Sequence, residues 1–133
     1  MTNPTTSTAH NASLYDRLGR ADGIRRLVDD IVEAHMANPA IRARFLPYQG
    51  DPGKLATVKE HLCAFLGAGS GGPEQYAGRS MPDAHRGMNI YEHEYMAALD
   101  DILAALRKND VDEATRKDVL AIAYSLKDEI LHV

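Results

Sequence analysis

Long apolar runs are missing from this chain: nowhere do about 18 apolar residues follow one another, which argues against a membrane-spanning helix. Cysteine is nearly missing too. Cys63 stands alone, so there is no internal disulfide and no thiolate pair for a zinc site, as in a reducing compartment. Basic blocks are absent. The 15 Lys and Arg are dispersed among 19 Asp and Glu, for a formal charge of −4, and a chain without a basic footprint is not expected to take nucleic acid or an anionic membrane as partner. The N-terminal stretch lacks the charged and apolar regions of a secretory signal, so the expected location is cytoplasmic. The zinc-protease spacing His-Glu-x-x-His and the phosphate loop Gly-x-x-x-x-Gly-Lys do not occur. Nor does any sustained two-residue alternation or internal repeat. What remains is 133 residues with 44% hydrophobic content, enough for one domain with a core and too short for two. We expect a monomer.

The apolar residues that are present recur at helical spacing. Met1 to Ala12 has almost nothing to bury and is expected to be a loose tail, leaving residues 13–133 as the domain. Ser13-Leu14-Tyr15-Asp16 predicts a capped short helix ending near Gly19, and Asp22 is placed to cap the next one. From Gly23 to Ala37, the residues Ile24, Leu27, Val28 and Ile31 form a single stripe, stopped by Asn38-Pro39, after which a short helix is expected over Ala40 to Leu46. Turn residues fill Pro47 to Gly53. Leu55, Val58, Leu62, Phe65 and Leu66 then define a helix that ends at Gly67-Ala68-Gly69-Ser70-Gly71-Gly72-Pro73. A short piece from Pro82 to Arg86 is limited by Gly87. Two longer helices are expected to close the chain, Tyr91 to Lys108 and Glu113 to Leu131, the second with Val119, Ile122, Leu126 and Ile130 on one face. The fold class is all-α.

Helical angles sort the histidines, since each residue advances by about 100°. His93 falls opposite Ile102 between Glu92 and Glu94 and is expected in solvent. His10 and His132 lie near the termini and take the same reading. His35 lies on its stripe one turn from the helix end, where it is expected to reach water. His61 lies inside its stripe, about 60° from Val58 and about 40° from Phe65. Spacing leaves two roles open for it: a core-edge histidine bonded to a backbone carbonyl, or a metal ligand. His61 and His85 flank the glycine-rich break, placed to grip one flat iron cofactor from both faces. The carboxylate pairs Asp29-Asp30 and Asp100-Asp101 lack the Glu-x-x-His pattern of a di-iron bundle and are expected on solvated faces. Cys63 is expected to be a small, partly buried filler. Tyr48 and Tyr76 sit in loops, with no chemical role apparent from sequence.

Four motifs carry a family resemblance. They are Leu14-Tyr15-Asp16-Arg17-Leu18-Gly19; Phe45 before the long loop; Phe65-Leu66 with Gly71-Gly72-Pro73-Glu74-Gln75-Tyr76-Ala77-Gly78; and Met81-Pro82-Asp83-Ala84-His85-Arg86-Gly87-Met88-Asn89-Ile90. Over about Ser13 to Leu131 the chain resembles the truncated haemoglobins, most of all the group with cyanobacterial and mycobacterial members. The resemblance implies a two-over-two helical sandwich around haem b, iron protoporphyrin IX. It makes His85 the proximal iron ligand and Phe45 a wedge against the haem, with Val58, Leu62, Phe65, Met81, Met88 and Ile90 as further lining. On the distal side the chain departs from the common pattern. Val32 stands where many relatives have a tyrosine, and Val58 and Leu62 stand where glutamine is frequent. His61 matches the position from which a histidine binds iron in cyanobacterial members.

Two axial imidazoles would leave no open position, so an incoming diatomic ligand (oxygen, nitric oxide or carbon monoxide) must displace His61. With few donors near, oxygen would be held poorly and oxidised easily. A storage or transport role is therefore less attractive than redox chemistry supported by a reductase, such as nitric oxide dioxygenation or nitrite or peroxide reduction. Two rivals are a six-coordinate electron-transfer protein and a helical interaction module without cofactor.

Overall fold

A computed structural model describes residues 12–133. The expected tail, apart from Ala12, and His10 lie outside the described residues. Helix α1 spans Leu14–Arg17, and as expected Ser13 caps it: the Ser13 hydroxyl accepts the Asp16 N–H at 3.1 Å. Helix α2 spans Arg20–Ala37 and buries Ile24, Leu27, Val28, Ile31 and Val32. Asp22 is not its cap. The helix begins earlier, with Gly19 at the cap position, and Asp22 falls in the first turn, where a carboxylate still faces the positive end of the helix dipole.

Asn38 ends α2, and its side-chain oxygen accepts the Ala40 N–H at 3.0 Å. Instead of a regular α-helix, a 3-10 helix follows over Arg42–Tyr48. Pro47 lies inside it and has no N–H to give. Helix α3, Pro52–Gly69, has Asp51 as its cap and Pro52 in its first turn. Helix α4 is the short Met81–His85, α5 is Glu92–Lys108, α6 is Glu113–Ser125 and α7 is Lys127–Ile130.

The last two elements correct the expected single helix from Glu113 to Leu131. The Ala123 carbonyl accepts both the Tyr95 hydroxyl and the Leu126 N–H, a tight closure that ends α6 and redirects the chain. The redirection brings Ile130 against Tyr95 and Leu99. Ile122, expected on the buried face, is left 39% exposed.

The packing is that of two helix pairs, α2 with α3 and α5 with α6, joined where α2 meets α5. A first core gathers Ile24, Leu27, Val28, Val32, Leu106 and Val119, with Leu62 and Leu66 of α3 against it. A second, smaller core gathers Tyr95, Leu99 and Ile130, with Met81 and Ile90 against it. The segment from α3 to α4 is tied to α1: the Tyr15 hydroxyl donates to Glu74 at 2.7 Å, and the Tyr15 N–H donates to the Ser70 carbonyl at 2.9 Å. The bond to Glu74 raises the Tyr15 phenol above its ordinary pKa. Gly72 is required here, because a Cβ on it would stand 2.4 Å from the Tyr15 ring. Among the described residues no helix is long and apolar enough to cross a membrane.

Candidate functional site

His85 is the last residue of α4, a helix of 5 residues opened by the Ser80 cap and Pro82. The chain turns away at once. Arg86 is extended, Gly87 takes a φ of 85° that favours glycine, and the Met88 N–H returns to the His85 carbonyl at 3.1 Å. The half-buried His85 ring places Nδ1 2.8 Å from the Met81 carbonyl oxygen. A carbonyl can only accept, so Nδ1 carries the proton and Nε2 keeps its lone pair free to ligate.

The apolar residues expected beside His85 come from the 3-10 helix, α3 and the loop after His85 itself. Phe45, Val58, Phe65 and Met88 are half-buried, yet among the described residues they belong to neither core cluster. They are apolar side chains left outside both cores. Leu62 is shared with the first core, and Met81 and Ile90 with the second. Val32 is 1% exposed on α2, so the position where a phenol was expected to be missing presents only methyl groups. Among the described residues no group of three or more His, Cys, Asp or Glu side chains could hold a bare metal ion. One histidine beside an apolar surface suits a flat group that brings its own metal and most of its own ligands.

His61 is exposed, although its helical angle placed it in the stripe. Its ring meets the Tyr76 ring edge-on, with centroids 6.4 Å apart, rather than the carbonyl that a core-edge histidine would find. Tyr76 also stands edge-on to Phe65 at 5.2 Å, and its hydroxyl donates to the Arg79 carbonyl at 2.6 Å. Tyr76 thus covers the end of α3 that carries His61.

His35 does not reach for water. Its Nδ1 lies 2.8 Å from an Asp101 oxygen, its side chain is 14% exposed, and its ring stacks at a tilt on Phe45 with centroids 5.6 Å apart. Asn38 donates to both Asp101 oxygens at 3.1 Å. Asp101 is therefore a half-buried acceptor joining α2 to α5, not part of a solvated face. Asp30 is another, accepting from Asn109 at 2.8 Å and Lys108 at 3.1 Å, and these bonds, that of Asn109 foremost, hold its carboxyl below the ordinary range. Asp29 and Asp100 are exposed as expected. Cys63 is half-buried, and burial pushes its thiol up, in keeping with an inert filler. His93 is exposed and stacked on Tyr91; His132 is exposed, with Nδ1 2.8 Å from the Asn89 side chain. Tyr48 stacks on Phe45 at 6.0 Å with Lys54 over its other side.

Sequence reasoning missed Arg44 and Glu94. Arg44 donates through Nε and Nη2 to the two Glu94 oxygens at 2.8 and 2.9 Å, and through Nη1 to the Met88 carbonyl at 2.6 Å. Glu94 is 9% exposed and also accepts the Tyr91 N–H at 3.1 Å. The guanidinium lowers the Glu94 carboxyl to about 2. A glutamate at the third position of a helix was the available signal, because it can bond back to the cap residue. A groove of about 430 Å³ opens between α2 and α3 and reaches Val32, but neither His61 nor His85 lines it.

Comparison with known proteins places this geometry in context. The family model described as bacterial-like globin matches residues 13–132. A group 1 truncated hemoglobin from Synechocystis sp. is 30% identical over 118 residues, covering 84% of this chain and 90% of that protein. The crystal structure of truncated hemoglobin from Tetrahymena pyriformis in the Fe(III) form superposes with a TM-score of 0.83 at 20% identity, covering 92% of this chain and 100% of the other. The 2/2 hemoglobin from Synechococcus sp., in the cyanomet state and with covalently attached heme, superposes with a TM-score of 0.79 at 23% identity over 90% of this chain and 98% of that one.

Proposed function

The chain belongs to the bacterial-like globin family and, within it, to the truncated haemoglobins with their two-over-two fold, and from that premise we propose that it binds haem b through His85 and takes up diatomic gases. The observation that carries this is the orientation of His85: the Nδ1 contact with the Met81 carbonyl leaves Nε2 as the ligating atom. Haem, when bound, would supply a redox-active iron, and His85 would be the protein's donor to it. Phe45, Val58, Phe65 and Met88 exclude water from its faces, with Leu62, Met81 and Ile90 behind them.

Polar groups on the distal side are few. Val32, Val58 and Leu62 offer no donor, and the Tyr76 hydroxyl is engaged by the Arg79 carbonyl. That leaves His61, exposed and beside the Tyr76 edge, which would be able to ligate the iron or donate to a bound gas, and Tyr48, packed against Phe45, as a second donor. With donors limited to His61 and Tyr48, reversible oxygen storage is disfavoured relative to redox chemistry with nitric oxide, nitrite or peroxide, for which a reductase would supply electrons.

Absorption spectra of the ferric and ferrous protein, alone and with His61→Leu, test the distal side. Sharp low-spin bands that disappear in the variant are expected, together with carbon monoxide uptake limited by release of His61. High-spin spectra in the unsubstituted protein would remove His61 from the iron. Low-spin spectra with no carbon monoxide uptake would favour an electron-transfer protein in which both histidines stay bound.

A further inference from the structure

We propose that Arg44, gripped by Glu94, is a positioning residue that fixes the loop after His85 and so sets how far His85 reaches toward the iron; this rests on the reading of His85 as the haem ligand. Arg44 belongs to the 3-10 helix, one residue before Phe45. Its bonds cross to the proximal side, to the carbonyls of Met88 at 2.6 Å and Asn89 at 3.4 Å. It is thus a strut between the 3-10 helix and the loop after His85.

The loop it holds has reason to need a strut. Gly87 and Asn89 both have positive φ, 85° and 48°, a conformation that glycine and, among residues with a side chain, asparagine adopt most readily, so the chain bends sharply on both sides of Met88. Next to His85 the loop is held by the Gly87 N–H to the Val133 carbonyl at 3.1 Å and the Met88 N–H to the His85 carbonyl at 3.1 Å, while the C-terminus holds its far end, with His132 Nδ1 2.8 Å from the Asn89 side chain and the His132 N–H on the Ile90 carbonyl at 3.2 Å; the Met88 carbonyl is left to Arg44. Met88 is therefore bonded on one side to the histidine and on the other to Arg44. A shift of Met88 is passed to His85 through a single hydrogen bond.

Glu94 makes Arg44 a rigid part. The carboxylate accepts two parallel N–H bonds from the planar guanidinium, which fixes both its position and its plane. Two of the three remaining N–H groups then point at the Met88 and Asn89 carbonyls. A lysine has one compact ammonium on a flexible stem and cannot span two carboxylate oxygens and a carbonyl in this way. Arg44→Lys keeps the charge and loses the fork, which separates positioning from simple charge balance.

Hydrogen exchange on the protein as purified, with Arg44→Met, Arg44→Lys and Glu94→Gln alongside, reads the loop directly. The Gly87 and Met88 amides should lose protection by about tenfold in Arg44→Met and in Arg44→Lys, while amides in the middle of α2 and α6 keep theirs. Transfer of haem to excess apomyoglobin should quicken by about tenfold in the same variants, as for other groups that orient a metal ligand. In a His61→Leu background the iron–histidine stretching band of the ferrous protein should shift on adding Arg44→Met. Unchanged loop exchange and haem loss in Arg44→Met would overturn the proposal. So would full retention of both by Arg44→Lys, or loss of protection spread evenly over α2 and α6. A purified protein that takes up no haem would overturn the proposed function and the link to His85, whereas the exchange of Gly87 and Met88 would still decide whether Arg44 holds the loop.

Discussion

Among single residues, Glu94 has its ionisation most firmly tied to the native structure. Its ordinary pKa of 4.5 falls to about 2 because the Arg44 guanidinium and the Tyr91 N–H both favour the carboxylate. A carboxyl whose folded pKa is depressed stabilises the fold above its unfolded pKa, and that contribution is lost as the pH falls through the folded value. Glu94→Gln should therefore cost about 3 kcal/mol near neutral pH, the lower end for breaking a largely buried pair. The gap between variant and parent should narrow as the pH drops from 4.5 toward 2. Urea unfolding across that range checks this, and a gap that stays constant with pH would count against the pair. The short helix that ends at His85 was legible in the sequence because its signals are local, Pro82 near its start and Gly87 just past its end. Arg44 and Glu94 were not, since what gives each its role is a partner 50 residues away. His35 was misread for the same reason: its helix position suggested water, and Asp101 on α5 supplied a carboxylate instead.

At the level of elements, boundaries were legible where local chemistry sets them. Ser13 caps α1, Asn38 stops α2 and the glycine cluster ends α3, each a local signal. The interior stripe of α2 was read correctly for Ile24, Leu27, Val28 and Ile31. The break between α6 and α7 was hidden because the apolar period runs on through Leu126 and Ile130, and only the tertiary bond from Tyr95 to Ala123 interrupts it. The exposure of His61 was hidden in the same way, since a stripe on α3 does not say where the neighbouring wall stops. The Asp51 cap matters to the site through α3, whose first turn it holds by accepting the Lys54 N–H at 3.0 Å. Asp51→Ala should lower stability by about 1 kcal/mol. Thermal unfolding measures the loss, and an unchanged midpoint would show that Asp51 contributes nothing to α3.

For the whole molecule, the division of the apolar residues is what makes a site. One core joins α2, α3, α5 and α6; the other joins α5 to α7 and the His85 loop; and Phe45, Val58, Phe65 and Met88 are half-buried without a place in either. A ligand that covers those four residues and binds His85 would join the two cores and stabilise the native state by mass action. The decisive comparison is haem uptake by the parent chain and by His85→Gly. The parent should bind one haem with an intense Soret band. His85→Gly should lose that band and regain it when imidazole is added, because the free base can take the place of the missing ring. Equal haem affinity and an unchanged spectrum in His85→Gly, with no response to imidazole, would contradict the assignment of His85 to the iron.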